Sequence, residues 1–337
     1  MLSIIIVNFH SAALIANCIR SIEHETTEIN YEIIVVDNGN DSNDKQSILQ
    51  QFPQVIWLNM TYNAGFARAN NLGINYAKGE AVLLLNPDTL ITNHAIEIVY
   101  PSFIQSDYVA CGVQLLNEDG TPQISGNYAM RGGLNYLLPL PYVGACIKGL
   151  GNLVKIDKPN VPNATSVVDV DWINGAFLMV KKQAIEKAGL LDEDFFLYAE
   201  EAEWCSRLKK LGKLCIYGGQ KVIHLQGETA NDAFNSEGKG YYNLYDRKGL
   251  QIMLSNFVRI RKQFGVFWFL FDLLIYTITI PIFFVVGFLQ HLFISFSPFK
   301  HLKKAIYFCK NVFYIWRLAP TIIKNKSYFY KVPEAVS

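Results

Sequence analysis

Apolar residues follow two alternating periods along the first ninety positions of the chain. Four short runs are rich in Ile, Val and Leu, as buried parallel strands require: residues 3–9, 33–36, 55–58 and 81–85. Residues 12–22 and 66–77 instead carry apolar side chains at the three- and four-residue intervals of a helix. This alternation predicts right-handed βαβ units, and therefore a mostly parallel sheet with helices on its faces.

Polar residues follow the predicted strands at three successive places. The clusters are Asp37-Asn38, Asn63 to Gly65, and Asn86 to Asp88. Ligands of such sheets bind beyond the carboxyl ends of the strands, so these side chains are candidates for a binding site. Ordinary turn chemistry is the alternative, because Asn, Asp and Gly also favour turns. Three clusters in succession favour the binding site.

The middle of the chain contains a stretch without hydrophobic periodicity, followed by two segments with a regular pattern. Residues 120–168 are rich in Gly, Pro and Asn without periodicity, which predicts loops or a flexible insertion. Order returns at residues 170–180, and a helical pattern with an acidic entry follows at residues 191–211, with Tyr198 on its apolar face. Its first turn contains Glu200, Glu201 and Glu203, where the helix dipole favours carboxylates.

The C-terminal part is basic and apolar. Residues 247–337 contain 13 Lys or Arg and two acidic residues, about +11, whereas residues 1–246 carry about −10. Residues 273–289 are uncharged, lie between cationic flanks and are interrupted by Pro281. This length is the lower limit for a spanning helix, and cations on both sides favour a hairpin or an in-plane segment at an anionic leaflet. A buried core helix is the alternative. We therefore predict a globular body over 1–245 and a helical membrane-association region over 246–337.

The cysteines and the N-terminal residues indicate the cellular compartment of the protein. The six cysteines form no C-x-x-C pair, which favours free thiols in a reducing environment. The N-terminal residues lack the basic and apolar regions of a signal peptide, so we expect the body to stay in the cytosol.

Carboxylates and one histidine suggest the chemistry. Asp88 follows a buried strand, with the polar Asn86 two residues earlier, and such a carboxylate can hold Mg²⁺ or Mn²⁺ together with substrate phosphates. The acidic group around Glu201 can supply a general base. His224 can add a metal or phosphate ligand, although a lone histidine is more often structural.

Several motifs resemble the family 2 glycosyltransferases, which have a GT-A fold. The similar segments occur in order and at the expected spacings over roughly residues 1–230: 3–9, 35–38, 63–73, 85–89, 171–177, 194–207 and 224–229. The strongest likeness is to the branch of rhamnosyltransferases in bacterial surface-polysaccharide assembly. The resemblance implies an α/β fold with a Rossmann-like, mixed and mostly parallel sheet, and makes residues 1–245 the catalytic domain.

The resemblance also implies a donor site. Asp37, next to Asn38, would accept a hydrogen bond from the pyrimidine ring of the donor nucleotide. A loop along the nucleoside and diphosphate would contain Asn63, Gly65 and Arg68. Two residues beside the donor sugar and one on the acceptor side complete the implied set: Gly175, Ala176 and Trp172. The motif after Asp37 departs from the family pattern, because Asn40 and Ser42 occupy the positions of its Ser and Asp.

Metal and base residues follow from the same motifs. Asp88 matches the second acidic residue of the family's metal-binding D-x-D, and Asn86 occupies the first position. His224 matches a position that joins the metal shell in some members. Glu200 and Glu201 match an acidic pair whose second member removes the acceptor hydroxyl proton. This makes Glu201 the implied base, with Glu200 as a rival.

The implied reaction is an inverting sugar transfer that depends on Mg²⁺ or Mn²⁺. In this branch the donor would be dTDP-L-rhamnose, with a UDP-sugar as the alternative. A lipid-linked or polysaccharide acceptor at the cytoplasmic face of the inner membrane is implied, together with membrane lipids as partners and no nucleic acid. A sugar nucleotidyltransferase is a second possibility, but residues 8–11 lack the Gly and Lys of its phosphate loop. A membrane-bound sugar-nucleotide scaffold without catalysis is a third, which the intact Asp88, Glu201 and His224 disfavour.

Overall fold

The structure is a computed structural model. It describes residues 1–129, 133–153, 159–226, 234, 236, 243–294, 296 and 299–333. Packing divides the chain into two units: the first contains residues 1–130, 159–196 and 200–229, and the second contains residues 131–158, 197–199 and 230–337. The predicted boundary between residues 245 and 246 stays a prediction.

A large sheet runs through the first unit. Its strands are β1 (Leu2–Asn8), β2 (Tyr31–Asp37), β3 (Ile56–Asn59), β4 (Ala81–Leu85), β5 (Thr89–Ile91), β6 (Ala110–Leu116), β9 (Val167–Val170), β11 (Phe177–Lys181) and β12 (Leu214–His224). A small second sheet contains β7 (Gly126–Asn127), β8 (Asn160–Val161) and β10 (Trp172–Ile173). The helices of this unit are α1 (Ala12–Glu25), α2 (Ser42–Gln51), α3 (Gly65–Tyr76), α4 (Ala95–Gln105), α6 (Lys182–Ala188) and α7 (Glu200–Leu208).

The strand order brings the predicted polar ends together. The large sheet has the order β3-β2-β1-β4-β11-β6-β12-β5, with β9 also pairing with β12. The pairs β1–β2, β2–β3, β1–β4 and β6–β12 are parallel, whereas β11 and β5 pair antiparallel with their neighbours. In register, Asn8 lies opposite Asp37, and Ile6 lies opposite Leu85. The ends of β1, β2 and β4 therefore meet at one edge.

Alternating side chains of the strands fill two cores, one on each face of the large sheet. Ile4 and Val35 belong to one apolar cluster, while their neighbours Ile5 and Ile34 belong to the other. All four side chains are buried, because helices cover both faces.

The second unit is helical in its described part. It contains a short 3₁₀ helix (Gly133–Leu137), α5 (Val143–Leu153), α8 (Arg247–Phe293) and α9 (Leu302–Lys324). Gly265 breaks α8 with a φ of +89°, a left-handed conformation that glycine adopts without strain. Gly265 thus divides α8 into a first arm, residues 247–264, and a second arm, residues 266–293. The two arms contact each other, because the Phe257 ring lies 5.7 Å from that of Phe269 and 5.1 Å from that of Tyr276.

The second arm of α8 has one buried and one exposed apolar face. Phe269, Tyr276 and Phe283 are buried in the second unit. Side chains at helical spacing on the opposite face are exposed: Phe267, Leu270, Leu274, Ile278, Val285 and Leu289. Among the described residues, α8 alone is long and apolar enough to cross a membrane, and a third of its most apolar 18-residue window is buried.

The fold class predicted from the sequence is confirmed, and three local predictions are wrong. Residues 120–168 contain α5 in addition to loops, although their Gly and Pro content hides its periodicity. The helix predicted over 191–211 begins only at Glu200, because Tyr198 and Ala199 have φ of 72° and 69°. Pro281 lies inside α8, and the break falls at Gly265 instead.

Candidate active site

Asp37 organises the loop that follows β2. Its Oδ1 accepts hydrogen bonds from Asn8 Nδ2 at 3.1 Å, Gly39 N at 3.1 Å and Asn40 N at 3.2 Å, while Oδ2 accepts from Asp41 N at 3.1 Å. The residue is 1% exposed. The carboxylate therefore fixes a turn, and its role toward a nucleotide base stays a prediction.

Asn38 connects this loop to the start of α3. Its Nδ2 donates to Asn63 Oδ1 at 3.1 Å, and its Oδ1 accepts from Ala64 N at 2.8 Å. Gly65 follows with a φ of +78°, and a Cβ at this position would lie 2.1 Å from Phe196 O. Phe66 N donates to the same carbonyl at 2.8 Å. The first two predicted clusters are thus brought together. A glycine is required at position 65 both by the positive φ and by the lack of space for a Cβ beside Phe196 O.

Arg68 lies one helical turn further along α3. Its Nη1 donates to Tyr62 Oη at 2.8 Å, and its Nε donates to Glu193 O at 3.1 Å. These bonds hold the guanidinium beside the 62–65 loop. Its predicted contact with the donor diphosphate stays a prediction.

Asn86, Asp88 and His224 form a polar cluster at the end of β4. Antiparallel pairing of β5 with β12 places His224 opposite Thr89, and Asp88 O accepts from Leu225 N at 2.9 Å. His224 Nε2 then lies 3.5 Å from Asp88 Oδ1 and 3.4 Å from Asn86 Nδ2. Side-chain exposure is 7% for Asp88 and 12% for His224. A carboxylate and an imidazole this close suit a small divalent cation, whose neighbouring ligands lie about 3 Å apart.

The loop before β11 joins this cluster to the candidate base. Asn86 N donates to Ala176 O at 3.1 Å, so Ala176 lies beside the cluster. A Cβ on the preceding Gly175 would lie 3.4 Å from Glu201 Cγ. Glu201 therefore packs along this loop. The structure thus brings together the residues predicted for the metal, the donor sugar and the proton transfer.

Glu200 and Glu201 have different environments at the start of α7. Glu200 is buried at 3% exposure, whereas Glu201 is partly exposed and lies against Gly175. Glu203 forms an ion pair with Arg207 one turn later, at 2.8 Å. Glu201 is thus the more exposed of the predicted pair, and which of the two is the base stays a prediction.

Trp172 lies on the small sheet, where β10 pairs with β7. Its indole Nε1 is buried and has no hydrogen-bond partner among the described residues. The neighbouring Asp171 forms an ion pair with Lys209 at 2.8 Å. No contact joins Trp172 to the Asp88 cluster in the described interactions, so its acceptor role stays a prediction.

Gln123 contacts His224 directly, although no sequence pattern pointed to it. Gln123 Oε1 lies 2.9 Å from His224 Nδ1, and Gln123 Nε2 donates to His224 O at 2.6 Å. The residue lies in the stretch predicted as a loop, and only the pairing of β6 and β12 brings the two side chains together.

Two further groups near the strand ends have polar or reactive side chains. His10, Asp41 and Asp44 have ligand atoms within 4.8 Å of one another, but the group is largely exposed, and such groups are common without an ion. The Cys18 thiol lies 3.9 Å from Asn86 O. Burial raises its pKa to about 12, so this thiol is structural. All six cysteines are free, as predicted.

Comparison with known proteins relates the N-terminal part of the chain to a known family. A family model described as "Glycosyl transferase family 2" matches residues 3–152. Over this part, which is less than half of its length, the chain is similar to the family 2 glycosyltransferases. This match, together with the central sheet and its flanking helices, confirms the GT-A type of α/β fold.

Curated relatives of this glycosyltransferase are distant. The chain is 29% identical over 214 residues to the low-salt glycan biosynthesis hexosyltransferase Agl10 of Haloferax volcanii, a match that covers 62% of each chain. It is 26% identical over 189 residues to the rhamnosyltransferase WbbL of Escherichia coli, covering 54% of this chain and 67% of that one. It is also 26% identical over 219 residues to the N-acetylglucosaminyl-diphospho-decaprenol L-rhamnosyltransferase of Mycobacterium tuberculosis, covering 59% and 67%. The matched part thus spans about two thirds of these relatives.

Proposed function

We propose that the chain is an inverting glycosyltransferase that transfers L-rhamnose from dTDP-L-rhamnose to a lipid-linked or polysaccharide acceptor. The observation that carries this proposal is the convergence of Glu201 and the Asp88–His224 pair on the two sides of the Gly175-Ala176 loop. A base and a phosphate-side site separated by a sugar-binding loop are what a single displacement at an anomeric carbon needs.

The residues of the site have separate tasks. Glu201 takes the proton of the acceptor hydroxyl as that oxygen attacks the anomeric carbon. The bond from this carbon to the nucleoside diphosphate breaks on the opposite side, which inverts the configuration. We assign the diphosphate contact to Arg68, whose guanidinium is held by Tyr62 and Glu193. The loop of Asn38, Asn63 and Gly65 holds the nucleotide.

Asp88 and His224 are the residues that would hold Mg²⁺ or Mn²⁺. One carboxylate oxygen and one imidazole nitrogen 3.5 Å apart fit such an ion, which prefers oxygen ligands and tolerates an imidazole. When bound, the ion neutralises the charge that develops on the leaving diphosphate.

The donor and acceptor rest on relatives rather than on pocket geometry. Two of the relatives described above are named as rhamnosyltransferases, and one of these as acting on a diphospho-decaprenol substrate. A polyprenyl-diphosphate sugar is therefore the acceptor that we propose. The test is incubation of the full chain with Mn²⁺, a panel of nucleotide sugars and a short-chain prenyl-diphosphate sugar, with release of nucleoside diphosphate as the readout.

The result separates the competing functions. Acceptor-dependent release of dTDP from dTDP-L-rhamnose supports the proposal, and release from another donor alone corrects the sugar. Binding of nucleotide sugars without any release indicates a scaffold protein. Formation of a nucleotide sugar from a sugar phosphate and a nucleoside triphosphate indicates a nucleotidyltransferase.

We further propose that the second unit attaches the enzyme to the cytoplasmic leaflet, with the second arm of α8 lying in the plane of the membrane. Only one face of this arm is exposed and apolar, because the opposite face packs within the unit. A one-sided apolar face is typical of an interfacial helix. Lys303 and Lys304 at the start of α9 add attraction of about 1 kcal/mol each to an anionic surface.

A matched pair of substitutions tests this attachment. Ile278 on α8 is 47% exposed, and Ile98 on α4 in the first unit is 46% exposed. Ile278→Glu should reduce flotation with anionic liposomes, since a carboxylate on that face must enter the lipid interface. Ile98→Glu should float as the wild type does. Equal flotation of both variants would show that this face of α8 does not meet the lipid.

A further inference from the structure

The environment of Gln123 determines which way its side-chain amide points. Two backbone carbonyls face one end of the amide: His224 O at 2.6 Å and Leu116 O at 3.3 Å from Nε2. Backbone carbonyls only accept hydrogen bonds, so this end must be the NH₂ group. The other end, Oε1, therefore faces His224 Nδ1 at 2.9 Å as an acceptor.

A chain of hydrogen bonds enforces the same orientation independently. The Asp119 carboxylate accepts from Thr121 Oγ1 at 2.5 Å, and Thr121 Oγ1 accepts from Asn117 Nδ2 at 2.8 Å. Asn117 Oδ1 must then accept, and it lies 2.8 Å from Gln123 Nε2. Each step has one direction because the ionised carboxylate at its start cannot donate.

This orientation determines the tautomer of His224. An acceptor opposite Nδ1 requires that Nδ1 carry the ring proton, so in the neutral ring Nε2 keeps its lone pair. Nε2 faces the Asp88 carboxylate at 3.5 Å, with Asn86 Nδ2 at 3.4 Å. The Nε2 lone pair can then accept from Asn86 Nδ2 or, together with the Asp88 carboxylate, bind a cation.

We propose that Gln123 is a positioning residue that holds His224 in the Nδ1-protonated form and so presents Nε2, together with Asp88, to the divalent cation of the donor diphosphate. The inference rests on the proposed function, because it assigns a purpose to the metal site of that function. Gln123 itself is buried at 5% exposure and acts through His224. Partners of this kind typically change metal affinity by about 10–100-fold when they are removed.

Affinity for Mn²⁺ alone, measured on the full chain by the electron paramagnetic resonance of free Mn²⁺, tests the role. Gln123→Met keeps the size of the side chain and removes the acceptor, so affinity should fall about 10–100-fold. Gln114→Met is the matched control, since Gln114 is also a fully buried amide but bonds to Leu115, Gln123, Pro162 and Ala164 backbone atoms rather than to His224.

Nitrogen-15 spectra of histidine-labelled wild-type protein give a second readout, for which His224→Gln serves only to assign the signal. The wild-type signal that disappears in His224→Gln should show a proton on Nδ1 and an unprotonated Nε2. A proton on Nε2 would overturn the proposal, as would an unchanged Mn²⁺ affinity in Gln123→Met. Failure of the wild type to bind Mn²⁺ would instead overturn the metal site of the proposed function. Binding that is lost in both Asp88→Asn and His224→Gln yet insensitive to Gln123→Met would overturn only the role of Gln123.

Discussion

Gly65→Ala is the substitution with the clearest structural consequence. Gly65 begins α3 with a φ of +78°, and a Cβ at this position would lie 2.1 Å from Phe196 O and 2.7 Å from Phe196 Cδ2. The Phe196 carbonyl oxygen, which this Cβ would overlap, accepts the hydrogen bond from Phe66 N. A single methyl group therefore disturbs both the backbone conformation and the contact that fixes the 63–65 loop.

Three effects contribute to the expected loss of stability. A non-glycine residue with positive φ costs about 1–2 kcal/mol. Forcing atoms apart in a packed region costs about 1–3 kcal/mol, and loss of the hydrogen bond to Phe196 O costs about 0.5–1.5 kcal/mol. We expect Gly65→Ala to lower the free energy of unfolding by about 3–5 kcal/mol.

Gly189 supplies the matched control. It has a φ of +79°, but a Cβ there would meet only Arg207 Nη1, at an ordinary contact distance of 3.5 Å. Gly189→Ala should therefore show the backbone effect alone, about 1–3 kcal/mol, because a φ of 79° with a ψ of 174° is a conformation essentially restricted to glycine. Urea unfolding of both full-length variants, followed by tryptophan fluorescence, measures the difference.

The affinity of the same two variants for dTDP tests whether this loop belongs to the donor site. If the 63–65 loop lies along the donor, Gly65→Ala should weaken binding of dTDP at least about tenfold, which corresponds to 1.4 kcal/mol. Gly189→Ala should bind dTDP as the wild type does. Equal unfolding free energies for the two variants, with equal dTDP affinities, would refute both the packing argument and the place of this loop in the donor site.

Three further predictions concern individual carboxylates. Asp88→Asn should lose nearly all Mn²⁺-dependent transfer while keeping its thermal unfolding temperature, and full activity in excess chelator would contradict the metal assignment. Glu201→Gln should lower turnover by about 10²–10⁴-fold with little change in donor affinity, and a larger loss in Glu200→Gln would transfer the role of base to Glu200. Asp272 lies on α8 with both carboxylate oxygens unpartnered among the described residues, and burial raises its pKa to about 7. Because the folded state binds this proton more tightly than the unfolded chain, stability should fall as pH rises from about 4 to 7. Asp272→Asn should raise the unfolding temperature by several degrees at pH 8 and leave it unchanged at pH 4, and an equal change at both pH values would contradict this account.

Much of the first unit could be predicted from the sequence because its strands are buried on both faces. The runs at residues 3–9, 33–36 and 81–85 are mostly or entirely apolar, and each lies largely within a strand of the large sheet. The start of α7 could not be predicted, since Tyr198 lies at helical spacing from Ala202 and Cys205. Tertiary packing holds Tyr198 and Ala199 in the left-handed region, and no local pattern encodes that.

The candidate site was predictable where strand ends carry its residues. Asp37, Asn38 and Asp88 follow β2 and β4, and parallel pairing brings those ends together. Gln123 was not predictable, because its partner is 101 residues away and the contact depends on the position of β12 beside β6. A single buried amide in a stretch rich in Gly and Pro has no signature of its own.

The anomeric configuration of the product tests the central proposal most directly. The full chain would be supplied with dTDP-β-L-rhamnose, Mn²⁺ and a short-chain prenyl-diphosphate sugar, and the new linkage would be read from the one-bond carbon–proton coupling at the anomeric carbon. A single displacement with Glu201 as base predicts an α-linked rhamnoside. A β-linked product would contradict the inverting mechanism, because it requires either two displacements or front-side attack.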